Sequence, residues 1–337
     1  MKEVLLLLVM FWNVENFFDP FKDPVAADEE FTPGGARFWT WRKFEKKRDD
    51  IAKVILLVKQ RYGVFPAVIG LCEVENRFVL HHLLERTPLA KAGYRIIHKD
   101  SPDKRGIDVA MLYDPQHFKL VQVRFFPLLE EEGGGVSVLA SRFILYAKGV
   151  VGGLDTLHCF VNHWPSRLGG EARSSPRRML ASRTLKVRTD SILRCNGRAN
   201  IILMGDFNDT PGSRPVTNLS GFVNMAHGVK GAGTYKYKGK WEVLDQFLVS
   251  ESLAPAPGVH GESGYFPAGQ AEQGCMEAVR WIYCKPGSME IFRNRYLLEK
   301  DDVYMGEKLR RTLSGPRYLG GVSDHLPVLL RLFGIVF

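Results

Sequence analysis

Ile201-Ile202-Leu203-Met204-Gly205-Asp206-Phe207-Asn208-Asp209 sets the fold of this chain. Four consecutive apolar residues suit a strand covered on both faces, and the acidic and amide run after Gly205 marks where that strand opens into a loop. Far downstream, Ser323-Asp324-His325 precedes a second apolar run, Leu326-Pro327-Val328-Leu329-Leu330. Both clusters therefore sit where buried strands meet loops, and there an α/β fold can gather hard oxygen ligands and a histidine around one point. The combination suggests metal-assisted attack of water on a phosphate ester.

Three more clusters share that placement. Asn13-Val14-Glu15-Asn16 follows an apolar run from Val4 to Trp12, Glu73 follows Ala67 to Cys72, and Asn162-His163-Trp164-Pro165-Ser166-Arg167 follows Leu157 to Val161. Asp245 lies within a further run, Val243 to Val249. One Asn or Glu at a strand end is ordinary turn chemistry. Five clusters with complementary chemistry are not. Carboxylates and amides suit a hard divalent cation such as Mg²⁺, and histidines handle protons or donate to a developing oxyanion.

Further strands are expected over Tyr94 to Ile97, Val109 to Tyr113, Leu120 to Phe126, Phe143 to Ala147, Trp281 to Cys284 and Leu326 to Leu332. Helices are expected over Trp41 to Gln60, where Ile51, Val54, Ile55 and Val58 recur at helical spacing, over Arg77 to Glu85, and over Arg177 to Leu193. Strands outnumber helices and often follow one another without room for a crossover. Two packed mixed sheets flanked by helices therefore fit better than a doubly wound sheet. Long loops are expected at Asp19 to Thr40, Glu130 to Gly135, Gly228 to Lys240 and roughly Ser252 to Ala278. None has linker composition, so residues 1–337 read as a single domain with insertions at a binding face.

The Gly-Asp-Phe-Asn-Asp and Ser-Asp-His blocks, with Asn-Val-Glu-Asn, Cys-Glu-Val-Glu-Asn and Asn-His-Trp-Pro-Ser-Arg, resemble the endonuclease/exonuclease/phosphatase superfamily from Asn13 to His325. The resemblance implies an α/β fold, a four-layered sandwich of two mixed β-sheets with helices outside. It implies a metal-dependent hydrolase of phosphate esters, using Mg²⁺ with Mn²⁺ as an alternative. In the family's pattern Glu73 is the principal metal carboxylate, with Glu15 and Asp324 as further metal ligands. Asp206 corresponds to the residue that positions or deprotonates water, Asn208 to a phosphate-binding amide, and His325 to the histidine facing the phosphate. Asp245 pairs with His325, Asn13 places phosphate, and His163 matches a histidine that abasic-site enzymes replace with tyrosine.

Arg167 has the fork geometry of a phosphate clamp. Arg173, Arg177, Arg178, Arg183, Arg188 and Arg194 crowd one helical segment, and Trp39, Trp41, Tyr235, Tyr237 and Trp241 lie near basic residues in loops. Lys104-Arg105-Gly106-Ile107-Asp108 opens the strand Val109 to Tyr113, with Asp108 as a carboxylate close to the site. The net charge is +9 over 337 residues, a balance that concentrates polyanions at the surface. Nucleic acid is therefore the first substrate expected, cut as by an endonuclease or exonuclease. A phosphatase or phosphodiesterase acting on a phosphorylated small molecule or lipid headgroup, of the inositol phosphate or sphingomyelin type, is the alternative.

Five cysteines (72, 159, 195, 275 and 284) with no CxxC pair form neither a disulfide framework nor a zinc ribbon. Reducing cytoplasm is the default compartment, with secretion or the periplasm if a leader precedes Met1. No apolar run approaches the roughly 20 residues of a membrane helix.

Overall fold

The computed structural model describes residues 2–132, 135–152, 155–167, 169–229, 231, 233–254 and 282–336. In chain order come β1 (Lys2–Phe17), α1 (Trp41–Tyr62), β2 (Val68–Val74), α2 (Arg77–Glu85), β3 (Arg95–His98), β4 (Asp108–Tyr113) and β5 (Phe118–Phe126). A hairpin of β6 (Leu129–Glu132) and β7 (Gly135–Val138) leads to β8 (Ile144–Val151), β9 (Asp155–His163), α3 (Glu171–Cys195), β10 (Asn200–Asp206) and α4 (Arg214–Thr217). Next are β11 (Phe222–Asn224), β12 (Tyr235–Tyr237), β13 (Lys240–Glu242), β14 (Asp245–Ser250), β15 (Ile282–Tyr283) and β16 (Met289–Ile291). Two short hairpins, β17 (Leu298–Lys300) with β18 (Glu307–Leu309) and β19 (Leu313–Ser314) with β20 (Arg317–Tyr318), precede β21 (Val328–Val336).

Two mixed sheets carry the fold. The first has the order β15-β21-β1-β2-β4-β3, with β16 beside β21; β1 and β2 run parallel and their neighbours antiparallel. The second has the order β11-β14-β10-β9-β8-β5, with only β9 and β10 parallel. Alternation along the second sheet's strands divides its side chains between two layers. Leu157, Cys159, Val161, Ile202, Met204, Phe247 and Val249 join the core shared with the first sheet. Phe160, Ile201, Leu203 and Leu248 face the other way, against Ala181 and Leu185 of α3. On the far side, α1 packs on β1 and α2 through its buried Ile51, Val54, Ile55 and Val58. The result is the four-layered sandwich expected. Each large apolar side chain so buried contributes about 1.5–3 kcal/mol.

The sheets meet closely at Gly70, where an added Cβ would come within 2.9 Å of the Met204 sulfur and 3.3 Å of Val161. A larger residue there would push the sheets apart.

Several expectations shift. The loop expected from Glu130 to Gly135 belongs to the β6–β7 hairpin, whose second strand is exposed along its length and so shows no apolar alternation. The Asp19 to Thr40 segment includes a 3-10 turn at Glu29–Phe31, and its Trp39 is wholly buried, donating Nε1 to the Phe18 carbonyl at 2.9 Å. Trp39 is core rather than a substrate platform. Helix α3 begins six residues before the expected Arg177. Most of the loop expected between 252 and 278 lies outside the described residues, as do Cys275 and Trp281. Cys72, Cys159 and Cys284 are buried free thiols and Cys195 is exposed. No described helix is long and apolar enough to cross a membrane.

Candidate active site

Strand register brings distant motifs into line. In the second sheet, Asp206 at the end of β10 pairs with His163 at the end of β9 on one side and with Asp245 at the start of β14 on the other. In the first sheet, Asn13 pairs with Cys72, next to Glu73. These ends open into a cleft of about 670 Å³ whose lining includes Glu73, His163, Asp206, Asn208, Asp324 and His325.

Asp206 is the hub. Its Oδ2 accepts a hydrogen bond from Asn13 Nδ2 at 3.0 Å, and its Oδ1 accepts the Asn208 backbone N–H at 2.8 Å. The Nε2 atoms of His163 and His325 each lie 3.8 Å from the same Oδ2. Burial raises the proton affinity of this carboxyl, partly offset by the charge of His325.

The two imidazoles are driven in opposite directions. His325 donates or shares its Nδ1 proton with Asp245 Oδ2 at 2.7 Å, and its backbone is fixed by Trp12 Nε1 on the carbonyl at 2.9 Å and Ser323 Oγ on the N–H at 3.0 Å. Burial alone would discharge His325, but Asp245 and Asp206 outweigh it and hold the pKa well above the usual histidine value. His163 is buried, and among the described residues no carboxylate comes within hydrogen-bonding distance of it, Asp206 and Glu73 lying 3.8 and 3.9 Å from Nε2. Desolvation first, then the charges of Arg142 and Arg105, push its pKa well below the usual value. One neutral and one charged imidazole thus face a single carboxylate, the separation that acid–base chemistry requires.

Four residues of the site motifs, Glu15, Asn16, Glu73 and Asn208, have φ between 48° and 60°. Left-handed backbone at such residues costs about 1–3 kcal/mol each and persists only where the surroundings enforce it. It turns Glu73 out of β2 toward the cleft, where Oε2 accepts the Asn16 N–H at 2.9 Å and His163 Nε2 lies 3.9 Å from Oε1. Asp324 also lines the cleft, its Oδ2 taking Arg311 Nη2 at 2.6 Å. Glu73, Asp206 and Asp324 are all oxygen donors, a set suited to a hard divalent cation. Asp206, Asp245 and His325 also lie close enough together to hold an ion.

Glu15 departs from expectation. It is buried away from the cleft and accepts the backbone N–H groups of Thr312 at 2.5 Å and Leu313 at 3.2 Å. Burial and Asp324 push its pKa up to about 7, against the pull of Lys47 and Arg311. Lys47, itself buried, bonds Thr312 Oγ1 and the Val322 carbonyl, both at 2.5 Å. Glu15 thus reads as an anchor for the 311–313 strand end rather than a metal ligand. Asn13 likewise bridges carboxylates: the same Nδ2 that meets Asp206 lies 3.5 Å from Glu73 Oε1.

Arg167 lines the cleft, but its Nε donates to the Asn208 carbonyl at 2.8 Å and its Nη1 to Glu242 at 2.9 Å. Most of its fork is committed to holding the Asp206 loop. Arg178, expected on a basic face of α3, is fully buried, with Nε on Asp209 Oδ2 at 2.6 Å and Nη1 on Ser174 Oγ at 2.7 Å. Asp108, buried at the start of β4, is not part of the cleft lining; it accepts the Ser101 N–H at 3.0 Å and faces His98 Nε2 at 3.6 Å. Neither Arg105, within its basic turn, nor Arg311 carries a sequence signal that sets it apart from a surface arginine. Tyr235 and Tyr237 do line the cleft, with the Tyr235 ring 4.9 Å from that of His325.

Residues 8–258 match the model of a family described as the endonuclease/exonuclease/phosphatase family. No curated protein sequence matches. An endonuclease/exonuclease/phosphatase family protein of Bacteroides thetaiotaomicron superposes with a TM-score of 0.57 at 15% identity, covering 98% of each chain. A mannosyl-6-phosphatase from the same bacterium gives 0.56 at 16% identity, over 97% of this chain and 99% of its own. Truncated TDP2 from Caenorhabditis elegans gives 0.52 at 14% identity, over 99% of this chain and 98% of its own. At such identities the likeness is one of fold.

Proposed function

This chain belongs to the endonuclease/exonuclease/phosphatase family of phosphoester hydrolases, mostly metal-dependent, and on that premise we propose how its own residues act. The observation that carries the reading is Asp206 Oδ2, fixed by Asn13 at 3.0 Å and faced at 3.8 Å by the Nε2 atoms of both His163 and His325. A phosphate ester resists attack because its oxygens repel an approaching oxygen nucleophile. Asp206, with a raised proton affinity, orients water and accepts its proton. His325, held charged and in one tautomer by Asp245, presents Nε2 to the phosphoryl or leaving oxygen as a proton donor. His163, held neutral, contributes a hydrogen bond without a formal charge. Asn208 keeps Asp206 in place through its backbone and lines the substrate cleft. Glu73, aided by Asp324, would hold the divalent cation, taken as Mg²⁺ or Mn²⁺, which when bound supplies a Lewis acid for the phosphoryl oxygens.

Nucleic acid is the first substrate class we infer. The net charge of +9 favours a polyanion, and at the cleft rim Tyr237 is 58% exposed with Lys238 Nζ 5.5 Å from its ring centre. An aromatic and a cation so placed suit a stacked base beside a phosphate. The burial of Arg178 removes one support, since α3 is not a continuous basic track. A phosphorylated small molecule is the second reading, favoured by the cleft's volume of about 670 Å³, which suits a ligand of limited size.

Mg²⁺-dependent nicking of supercoiled plasmid, with chelator and Asp206→Asn as controls and inositol phosphates and sphingomyelin assayed in parallel, tests both. Nicking abolished by both controls supports the nuclease. Intact plasmid with phosphate or phosphocholine released replaces nucleic acid by the second class. Full activity in Asp206→Asn would remove Asp206 from the chemistry.

A further inference from the structure

The loop between β3 and β4 brings Arg105 into the cleft lining beside Glu73, His163 and Asp206. Its position is built from below. Asp103, buried, accepts the Arg105 backbone N–H on Oδ1 at 3.0 Å and Arg142 Nη1 on Oδ2 at 3.0 Å. Arg142, also buried, carries its Nη2 to the Trp164 carbonyl at 2.8 Å, one residue beyond His163. An internal ion pair therefore roots the loop against the end of β9. Gly106, at φ 70°, turns the chain immediately after Arg105 and back into β4.

The cations of the cleft differ in what they have left to give. Arg167 is spent on Asn208 and Glu242, and Arg311, just behind the lining, on Asp324. The Arg105 side chain is 53% exposed, and its ion pair to Asp103 is long, Nε to Oδ1 at 3.8 Å. Its guanidinium can thus turn a fork of N–H donors toward a ligand without breaking a close hydrogen bond of its own.

We propose that Arg105 forms a subsite for the extra charge of a phosphomonoester, so that the cleft prefers terminal phosphate groups to internal phosphodiesters. This rests on the phosphoester reading above and, within it, favours a phosphorylated small molecule or a phosphorylated nucleic-acid end over cleavage at internal phosphodiesters. A monoester carries about −1.5 to −2 charges at neutral pH and three non-bridging oxygens; a diester carries one charge and two such oxygens. Glu73 and Asp324 would be occupied by the cation they hold, so the second charge of a monoester needs a further positive group in the lining, and among the described residues there Arg105 is the one with donors uncommitted. A second positive group in the cleft, with donors to spare, matches the charge that a dianion carries beyond a monoanion. The same chemistry occurs at a sugar phosphate and at the phosphorylated end of an oligonucleotide.

The test compares wild type, Arg105→Ala and Arg105→Lys on para-nitrophenyl phosphate and bis(para-nitrophenyl) phosphate with saturating Mg²⁺. Loss of a charged, forked contact predicts a fall in kcat/KM on the monoester of roughly tenfold to a hundredfold in Arg105→Ala, mostly in KM. The loss on the diester should be at least tenfold smaller, and lysine should restore part of the monoester activity. Equal losses on both esters, or none, overturn the proposal. Equilibrium binding of inorganic phosphate against dimethyl phosphate gives a readout independent of turnover: only phosphate should lose affinity in Arg105→Ala. A wild type that turns over neither ester overturns the hydrolase reading, while the binding ratio still decides the subsite. A hexose 6-phosphate and a 5′-phosphorylated dinucleotide then separate the two sources by relative kcat/KM. If internal diesters surpass both, the preference is wrong.

Discussion

His325 Nδ1 and Asp245 Oδ2 stand 2.7 Å apart although the residues are 80 positions apart in sequence, and Asp245 has no exposed surface. The carboxylate keeps His325 protonated at pH values where a free histidine has lost its charge. Asp245→Asn withdraws that support, so the imidazolium should discharge at lower pH. We expect kcat to fall by roughly 10²–10⁴-fold and the alkaline limb of the pH–rate profile to move downward. A profile unmoved by the substitution would dissociate Asp245 from the charge on His325.

Glu73 and Glu15 should separate in metal dependence. Glu73→Gln should raise the Mg²⁺ concentration for half-maximal activity by about tenfold or more, as loss of a carboxylate ligand would. Glu15→Gln, which alters the anchor of Thr312 and Leu313, should lower the unfolding midpoint and shift the Mg²⁺ requirement far less. Reversed responses would return Glu15 to the metal.

Arg178→Met should destabilise the fold. The methionine fills much of the space but leaves Asp209, also buried, without its 2.6 Å partner. Breaking a buried pair from one side costs about 3–5 kcal/mol, which urea unfolding would read as a lower midpoint with little change in slope. A shift below about 1 kcal/mol would mean that Asp209 finds another partner or takes up a proton.

His158 predicts acid sensitivity. It is buried beside Tyr146, whose hydroxyl lies 2.9 Å from Nδ1, and desolvation followed by Lys148 lowers its pKa from 6.5 to about 4. The unfolded chain binds the proton first as pH falls, so this stability is complete above about 6.5 and drains away toward 4. In His158→Gln, thermal midpoints should decline less steeply across that window. Parallel curves for both proteins would place the acid sensitivity elsewhere.

The strand ends were legible because burial on both faces writes long apolar runs, and because the polar residues ending them could not belong to the strands. Gly205-Asp206 and Ser323-Asp324-His325 announced themselves that way. Side-chain direction was less visible. Glu15 and Glu73 look equivalent in sequence, yet the first is consumed by the N–H groups of Thr312 and Leu313 and the second faces the cleft. Arg178 and its neighbours look like one basic face because α3 shows weak segregation of polar and apolar residues, and only packing against Asp209 selects the buried one. Arg105 reads as part of a basic turn until the Asp103–Arg142 pair fixes where that turn projects. The β6–β7 hairpin leaves little pattern because its second strand covers no core.

Strand β1 pairs with β21, and the same junction ties Trp12 to the His325 carbonyl and Ser323 to the Asn13 carbonyl. Contacts spanning some 310 positions are slow to find, although the entropy of closing so large a loop grows only logarithmically. During synthesis, a nascent chain that has already exposed Glu73 and Asp206 still lacks its imidazolium, and β1 still lacks a neighbour. On the mechanism proposed above, hydrolytic competence would therefore await residues 323–336. The segment that completes the first sheet is thus also the one that brings His325 to Asp245 and Asp206.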